Sequence, residues 1–224
     1  MYTKYHNIHN SAELISLVDE IGILPLLRMG VSVWSAEEQV DRNCSYVKLP
    51  DGGYEWPLWE WKGAVIQESG CAYGHFILDK AGFISKALWP DFCNWRRSRS
   101  QQIEEGSIEA MILDTLRAEG SLITRELRAA CGFNGPKMRG KFDSYVRRLE
   151  RSCHIVTEDF VYPTDKHGRQ HGFGWALLTT PEARFGRENY RANCTPEESY
   201  ERLMEHLCKI MPDASDTFFK ELLR

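Results

Sequence analysis

No run of about 18 apolar residues occurs anywhere in the 224-residue chain, so it holds no segment able to cross a bilayer as a helix. The start, Met1-Tyr2-Thr3-Lys4-Tyr5-His6, lacks the charged, then apolar, then small-residue order of a secretory signal, which predicts a cytoplasmic protein. Cysteine pairs of the C-x-x-C type are missing too. The seven cysteines stand singly at Cys44, Cys71, Cys93, Cys131, Cys153, Cys194 and Cys208, an odd set that offers neither a zinc ribbon nor a thioredoxin-like motif. They read as free thiols packed as small buried hydrophobes. No set of residues with metal-ligand spacing stands out, and no metal or cofactor is expected. His167 and His171 are four apart, but Gly168 and Gly172 make that segment a turn with no third ligand.

Hydrophobic residues make up 42% of the chain and charged residues 27%, which is globular composition and excludes disorder or a fibrous repeat. The net charge of -4 argues weakly against a polyanion partner, yet its distribution argues otherwise. Residues 1–91 carry 7 basic and 12 acidic side chains, residues 92–172 carry 14 and 11, and residues 173–224 carry 7 and 9. Phosphate binding depends on local potential, which fades within a Debye length of roughly 10 Å. The middle segment is therefore the place to look for a nucleic-acid surface. The same split permits the acidic N-terminal segment to lie on the basic one as an internal competitor.

Three regions follow from the pattern of elements: an aromatic-rich mixed α/β region over 1–104, a compact unit over 105–180 and a helical extension over 181–224. In the first, Asn10 and Glu13 form a capping-box pattern ahead of Leu14, Leu17, Val18, Ile21 and Leu24, a helix running to Pro25. Ala72–Leu78 and Gly82–Ser85 read as a hairpin turning through Asp79-Lys80-Ala81. In the second, Ile108, Met111, Ile112 and Leu116 share a face of a helix ended by Gly120, and a short helix capped by Thr124 closes at Gly132. A third helix, about 136–152, turns Met138, Phe142, Tyr145, Val146 and Leu149 inward. Two strand-like runs, 154–162 and 173–178, then flank a polar turn. Three helices followed by a two-stranded ribbon with a basic tip is the order of a winged helix-turn-helix, so the fold class expected is α+β. Thr195-Pro196-Glu197-Glu198 opens a last helix through Leu203, Leu207 and Ile210, packed on the rest of the chain or, as a homodimer, on a second subunit.

A winged helix reads DNA with the start of its third helix while cations clamp phosphates. Lys137, Arg139, Lys141, Arg147 and Arg148 on that helix and Lys166 and Arg169 on the wing are the candidate DNA contacts, with His167 and His171 beside them. In the first region five tryptophans, Trp56, Trp59, Trp61, Trp89 and Trp95, fall within forty residues. Aromatics at that density pack a core or stack on an extruded base. Glu60, His75 and Asp91 are the groups there able to move protons near neutral pH, in no spacing typical of a metal or nucleophile site.

Trp59-Glu60-Trp61-Lys62, Tyr73-Gly74-His75-Phe76, Gly82-Phe83-Ile84-Ser85, Trp89-Pro90-Asp91-Phe92 and Asn94-Trp95-Arg96-Arg97, followed by the winged-helix pattern, give a chain that resembles the AlkZ-related proteins over roughly residues 10–180. These are shortened relatives of the AlkZ (YcaQ-like) DNA glycosylases, which are built from winged-helix units and excise alkylated or crosslinked bases. The resemblance implies DNA as partner. Those glycosylases use a Gln-x-Gln or Gln-x-Asp motif to position and activate water, and Gln39-Val40-Asp41 is the triplet here that fits its letters, making Gln39 and Asp41 the catalytic candidates that the resemblance implies. The leading expectation is a winged-helix DNA-binding protein, a regulator or repair accessory. A glycosylase-like base-excision enzyme and a protein-interaction module are the alternatives.

Overall fold

The computed structural model describes residues 2–30, 32–50, 52, 54–135, 137–164, 166 and 174–224. The first region begins with α1 (Ser11–Ile21), capped by the Asn10 side chain accepting from Glu13 N and burying Leu14, Leu17, Val18 and Ile21. The helix stops at Gly22 and not at Pro25. Gly22 adopts φ +79° and its N–H donates to Val18 O, a left-handed exit that glycine tolerates best, and Leu24 passes into β1 (Ile23–Pro25). Short elements α2 (Ala36–Gln39), α3 (Arg42–Ser45), β2 (Val47–Lys48) and β3 (Tyr54–Glu55) lead to α4 (Pro57–Ser69), the hairpin β4 (Ala72–Ile77) and β5 (Lys80–Ile84), and α5 (Trp89–Arg99). The hairpin turns through Leu78 and Asp79, both at positive φ. Lys80 pairs directly with Ile77, so the turn is the two-residue kind matched to strand twist, and Lys80 and Ala81 belong to the strand.

The second region contains α6 (Ile108–Glu119), β6 (Leu122–Ile123), α7 (Thr124–Ala130), α8 (Arg139–Arg151), β7 (Val156–Val161) and β8 (Trp175–Thr179). Ser107 caps α6, whose buried face is Ile112, Leu113 and Leu116. Met111, expected inside, is exposed, because that face is rotated by one residue toward Leu113. Thr124 does not cap α7; it is the first helical residue, after Ile123, and β6 runs straight into the helix without a side-chain cap. Both regions share one order: helix, short strand, helix, longer helix, hairpin. The sheets are antiparallel in the orders β1-β5-β4 and β6-β8-β7, each with the last strand in the middle. In the first region α3, β2 and β3 are inserted before the longer helix.

The chain ends with α9 (Pro181–Phe185), α10 (Pro196–Ile210) and α11 (Asp216–Leu222). The Thr195–Glu198 capping box forms as the sequence indicates. Leu203, Leu207, Met211, Phe219, Leu222 and Leu223 join the core of the first region. Trp95 Nε1 donates to Leu223 O at 2.8 Å, and Asn94 Nδ2 donates to Cys194 O and Ser199 Oγ at 3.0 Å. A separate core under α6, α7 and α8 holds Leu127, Phe133, Phe142, Val146, Leu149 and Ile155. The entry to β7 serves both, since Ile155, just before the strand, belongs to this core and Val156, its first residue, to the first. Of the cysteines, Cys71, Cys93, Cys131 and Cys153 are buried. Cys44 and Cys194 are half-buried and Cys208 is exposed, since it follows Leu207 onto the outer side of α10. Among the described residues no helix is long and apolar enough to cross a membrane.

Candidate nucleic-acid interface

The strongest separation of charge from apolar surface lies on α8. Phe142, Val146 and Leu149 are buried on one side, packing at helical spacing against the second core. Lys137, just ahead of the helix, and Arg139, Lys141, Arg147, Arg148 and Arg151 are exposed on the others. Their commitments differ along the helix. Arg148 Nη2 lies 2.8 Å from Glu109 Oε1, and Arg151 Nε lies 2.6 Å from Asp79 Oδ1. Arg139 stands 3.9 Å from Asp143, a distance at which solvent leaves little attraction. Lys137, Lys141 and Arg147 have no ion pair among the described residues. The free positive charge therefore lies around the beginning of α8 and, further along, at Arg147.

α8 is held from its far end. Glu150, 5% exposed at the side chain, lies 2.8 Å from His75 Nδ1 on β4. That bond holds the His75 imidazole above its ordinary pKa, against the opposing effect of burial. Between β7 and β8, Lys166 is exposed, and the Arg125 guanidinium of α7 lies 5.1 Å from the ring of Trp175 at the start of β8. Arg169, His167 and His171 lie outside the described residues.

A second feature was visible in composition but not in shape. Tyr46, Trp56 and Trp59 form a continuous stack, with successive ring centroids 5.2 Å apart and interplanar angles of 17° and 23°. Tyr54 meets Tyr46 edge-on at 6.5 Å. Tyr46 and Tyr54 are 58% and 65% exposed, so this aromatic cluster is open to solvent. Trp89, by contrast, is core. Under the stack Lys62 is fully buried, its ammonium 3.6 Å from the Trp59 ring and 4.0 Å from Phe160. Burial pushes its pKa down to about 7. Burial, and then the nearby Glu55, raise the Glu60 carboxyl above its usual range.

Gln39 is 0% exposed. Its Oε1 accepts from His6 N at 2.8 Å, and its Nε2 donates to Lys4 O at 2.9 Å and Val33 O at 2.7 Å. The amide thus joins the N-terminal segment to the loop before α2. Asp41 caps α3, accepting from Asn43 N at 2.8 Å, and offers a ligand atom within 4.8 Å of those of His9 and Cys44. Sequence spacing gave no hint of that trio. His75 and Asp91 are engaged separately: His75 with Glu150, and Asp91 with Ser199 Oγ at 2.7 Å and Arg202 at 3.5 Å. Glu60, His75 and Asp91 share none of these bonds.

Fold and surface together define a mixed α/β protein of two similarly ordered units, closed by C-terminal helices and carrying one basic helix face. A family model described as AlkZ related matches residues 8–224, and the chain belongs to that family. No curated protein and no solved structure matches it.

Proposed function

We propose that this is a winged-helix DNA-binding protein, a regulator or repair accessory, that meets duplex DNA through α8 and the β7–β8 wing. The observation that carries this reading is the division of α8: its apolar side fills the second core while Lys137, Lys141 and Arg147 stand exposed with no ion pair among the described residues, and Arg139 stands exposed with Asp143 3.9 Å away. The order helix, strand, helix, helix, hairpin, with sheet order β6-β8-β7, supports α8 as the recognition helix. Membership of the AlkZ-related family supports a DNA partner. Arg148, Lys166 and Arg169 extend the contact set along the backbone, Arg148 by exchanging Glu109 for a phosphate.

Fluorescence anisotropy with a labelled random duplex at several salt concentrations tests this. Each phosphate neutralised contributes about -0.9 to the slope of log K against log salt. Replacing Lys137, Lys141 and Arg147 together by Ala should flatten that slope by about 2.7 units. An unchanged slope and affinity would remove α8 from the interface, and no binding at low salt would favour the protein-interaction alternative.

The stack of Tyr46, Trp56 and Trp59 favours a second reading, glycosylase-like base excision in which an extruded base continues the stack. Release of a free base from alkylated duplex, abolished by Trp56→Ala with duplex affinity retained, would support it. Absence of release from alkylated and crosslinked substrates would count against it.

A further inference from the structure

Among the described residues Arg96 on α5 is a buried cation with no carboxylate in hydrogen-bond or ion-pair contact. It is 6% exposed. Nη2 donates to Phe76 O at 2.7 Å and Leu222 O at 2.8 Å, and Nη1 to Arg151 O at 3.3 Å. Nε has no hydrogen-bond partner among the described residues. These carbonyls hold the guanidinium in place but supply no negative charge, and buried arginines are as a rule paired. Burial pulls its pKa below the usual arginine value, as expected for an uncompensated charge.

Arg96 also lines a cleft of about 800 Å³ between the end of α5, the connection 100–107 and the second half of α8. Arg99, Arg148, Arg151 and Arg224 line it as well, against Glu104 and Glu109. Arg148 and Arg151 are occupied by Glu109 and Asp79, while Arg99 lies 5.5 Å from the Trp95 ring with no ion pair among the described residues. The remaining wall is mixed, with Gln101, Gln102 and Ser107 beside Ile103 and Leu149.

We propose that this cleft binds a phosphomonoester carried on a nucleoside-sized ligand, with Arg96 as the buried cation and Arg99 and Arg148 reaching the phosphate from the exposed side. Several guanidinium groups around one opening match a dianion with three acceptor oxygens better than a carboxylate, because each presents a planar fork of donors. The volume exceeds what a lone phosphate fills and falls in the range of small-molecule sites. Neutral amides and an apolar wall suit a sugar and base. Lys137, Arg139 and Lys141 do not line the cleft, which shares only Arg148 with the duplex surface proposed above and stands whether or not that surface binds DNA.

Isothermal titration of the full chain at low salt with deoxyadenosine 5′-monophosphate, and with deoxyadenosine as its phosphate-free counterpart, provides the test. Saturable binding of the nucleotide and none of the nucleoside is expected. R99Q/R148Q alters exposed side chains only and should weaken nucleotide binding at least about tenfold, with circular dichroism verifying the fold. R139A/K141A should leave it within about twofold. A hairpin duplex with and without a 5′-phosphate separates the two sources of the group. Preference for the phosphorylated hairpin supports the proposal with a strand end as ligand, and nucleotide binding without that preference supports it with a free nucleotide. No nucleotide binding up to about 5 mM, equal binding of the nucleoside, or full affinity in R99Q/R148Q would overturn it.

Discussion

Replacing Gln39 by Ala tests whether its amide serves as a structural clamp, a role that the sequence does not disclose. The substitution removes three hydrogen bonds at once, to His6 N, Lys4 O and Val33 O, from a side chain with no exposure. A buried polar group left unpaired costs about 1–3 kcal/mol. Lys4 is exposed and His6 and Val33 are half-buried, so water can replace part of the loss, and the expected net destabilisation is about 2–4 kcal/mol. For a chain of this length each kcal/mol moves the midpoint by about 2–4 °C, giving a fall in Tm of roughly 5–15 °C by circular dichroism. Gln39→Glu should also destabilise, because it keeps the acceptor for His6 N but turns a carboxylate oxygen toward two carbonyls. A midpoint for Gln39→Ala within about one degree of the native chain would refute the clamp. The result also governs any base-excision assay: lost base release counts toward water positioning by Gln39 only where the variant is still folded.

Gly82→Ala should weaken the first sheet by about 1–3 kcal/mol, since a Cβ there would stand 2.6 Å from Leu24 O and 2.9 Å from Pro25 Cα; a urea midpoint unchanged from the native chain would contradict this. Phe142→Ala empties the centre of the second core, where the ring is 0% exposed and 5.3 Å from Phe133, and should cost about 3–5 kcal/mol in urea unfolding; a loss below about 1 kcal/mol would show that the core is not packed around it. The His75–Glu150 bond raises the folded pKa of His75. Its contribution is therefore fully present below the ordinary histidine value and fades as pH rises through the folded one. Urea midpoints of the native chain should fall over that range relative to Glu150→Gln, and parallel profiles would argue against the coupling.

The legible parts of the fold were those with one apolar face and a local cap. α6 and α8 show that periodicity, α10 its capping box, and β4–β5 two β-rich runs close enough to pair, although the turn itself falls at Leu78-Asp79 and not at Asp79-Lys80-Ala81. The unread helices lack such a face. α5 buries Phe92, Cys93, Asn94 and Arg96, residues that surround the helix, because it packs on both the first sheet and α10. α4 places Lys62 among Leu58, Val65 and Ile66, and a charged residue in that stripe hides the period. β1 has three residues and gains its place from pairing with β5, roughly sixty positions away, so the shared order of the two units emerges with the sheets.

The basic face proposed to meet DNA was readable for the same reason that α8 was, since charge and apolar residues alternate on a helix packed on one side. Its commitments were not, because they depend on partners distant in sequence. The charge split permitted an acidic first region lying over the basic helix. In the fold Asp79 is the residue of that region that ion-pairs with an α8 cation among the described residues, taking Arg151, while His75 takes Glu150. Both contacts fall in the last turn of α8. They fix the orientation of the helix from its C-terminal end and leave Lys137, Lys141 and Arg147 without an ion pair among the described residues of either region. The first region thus acts on the basic helix as a mount, and a variant that cuts Asp79 and His75 away should change the angle at which α8 is presented more than the number of charges it presents.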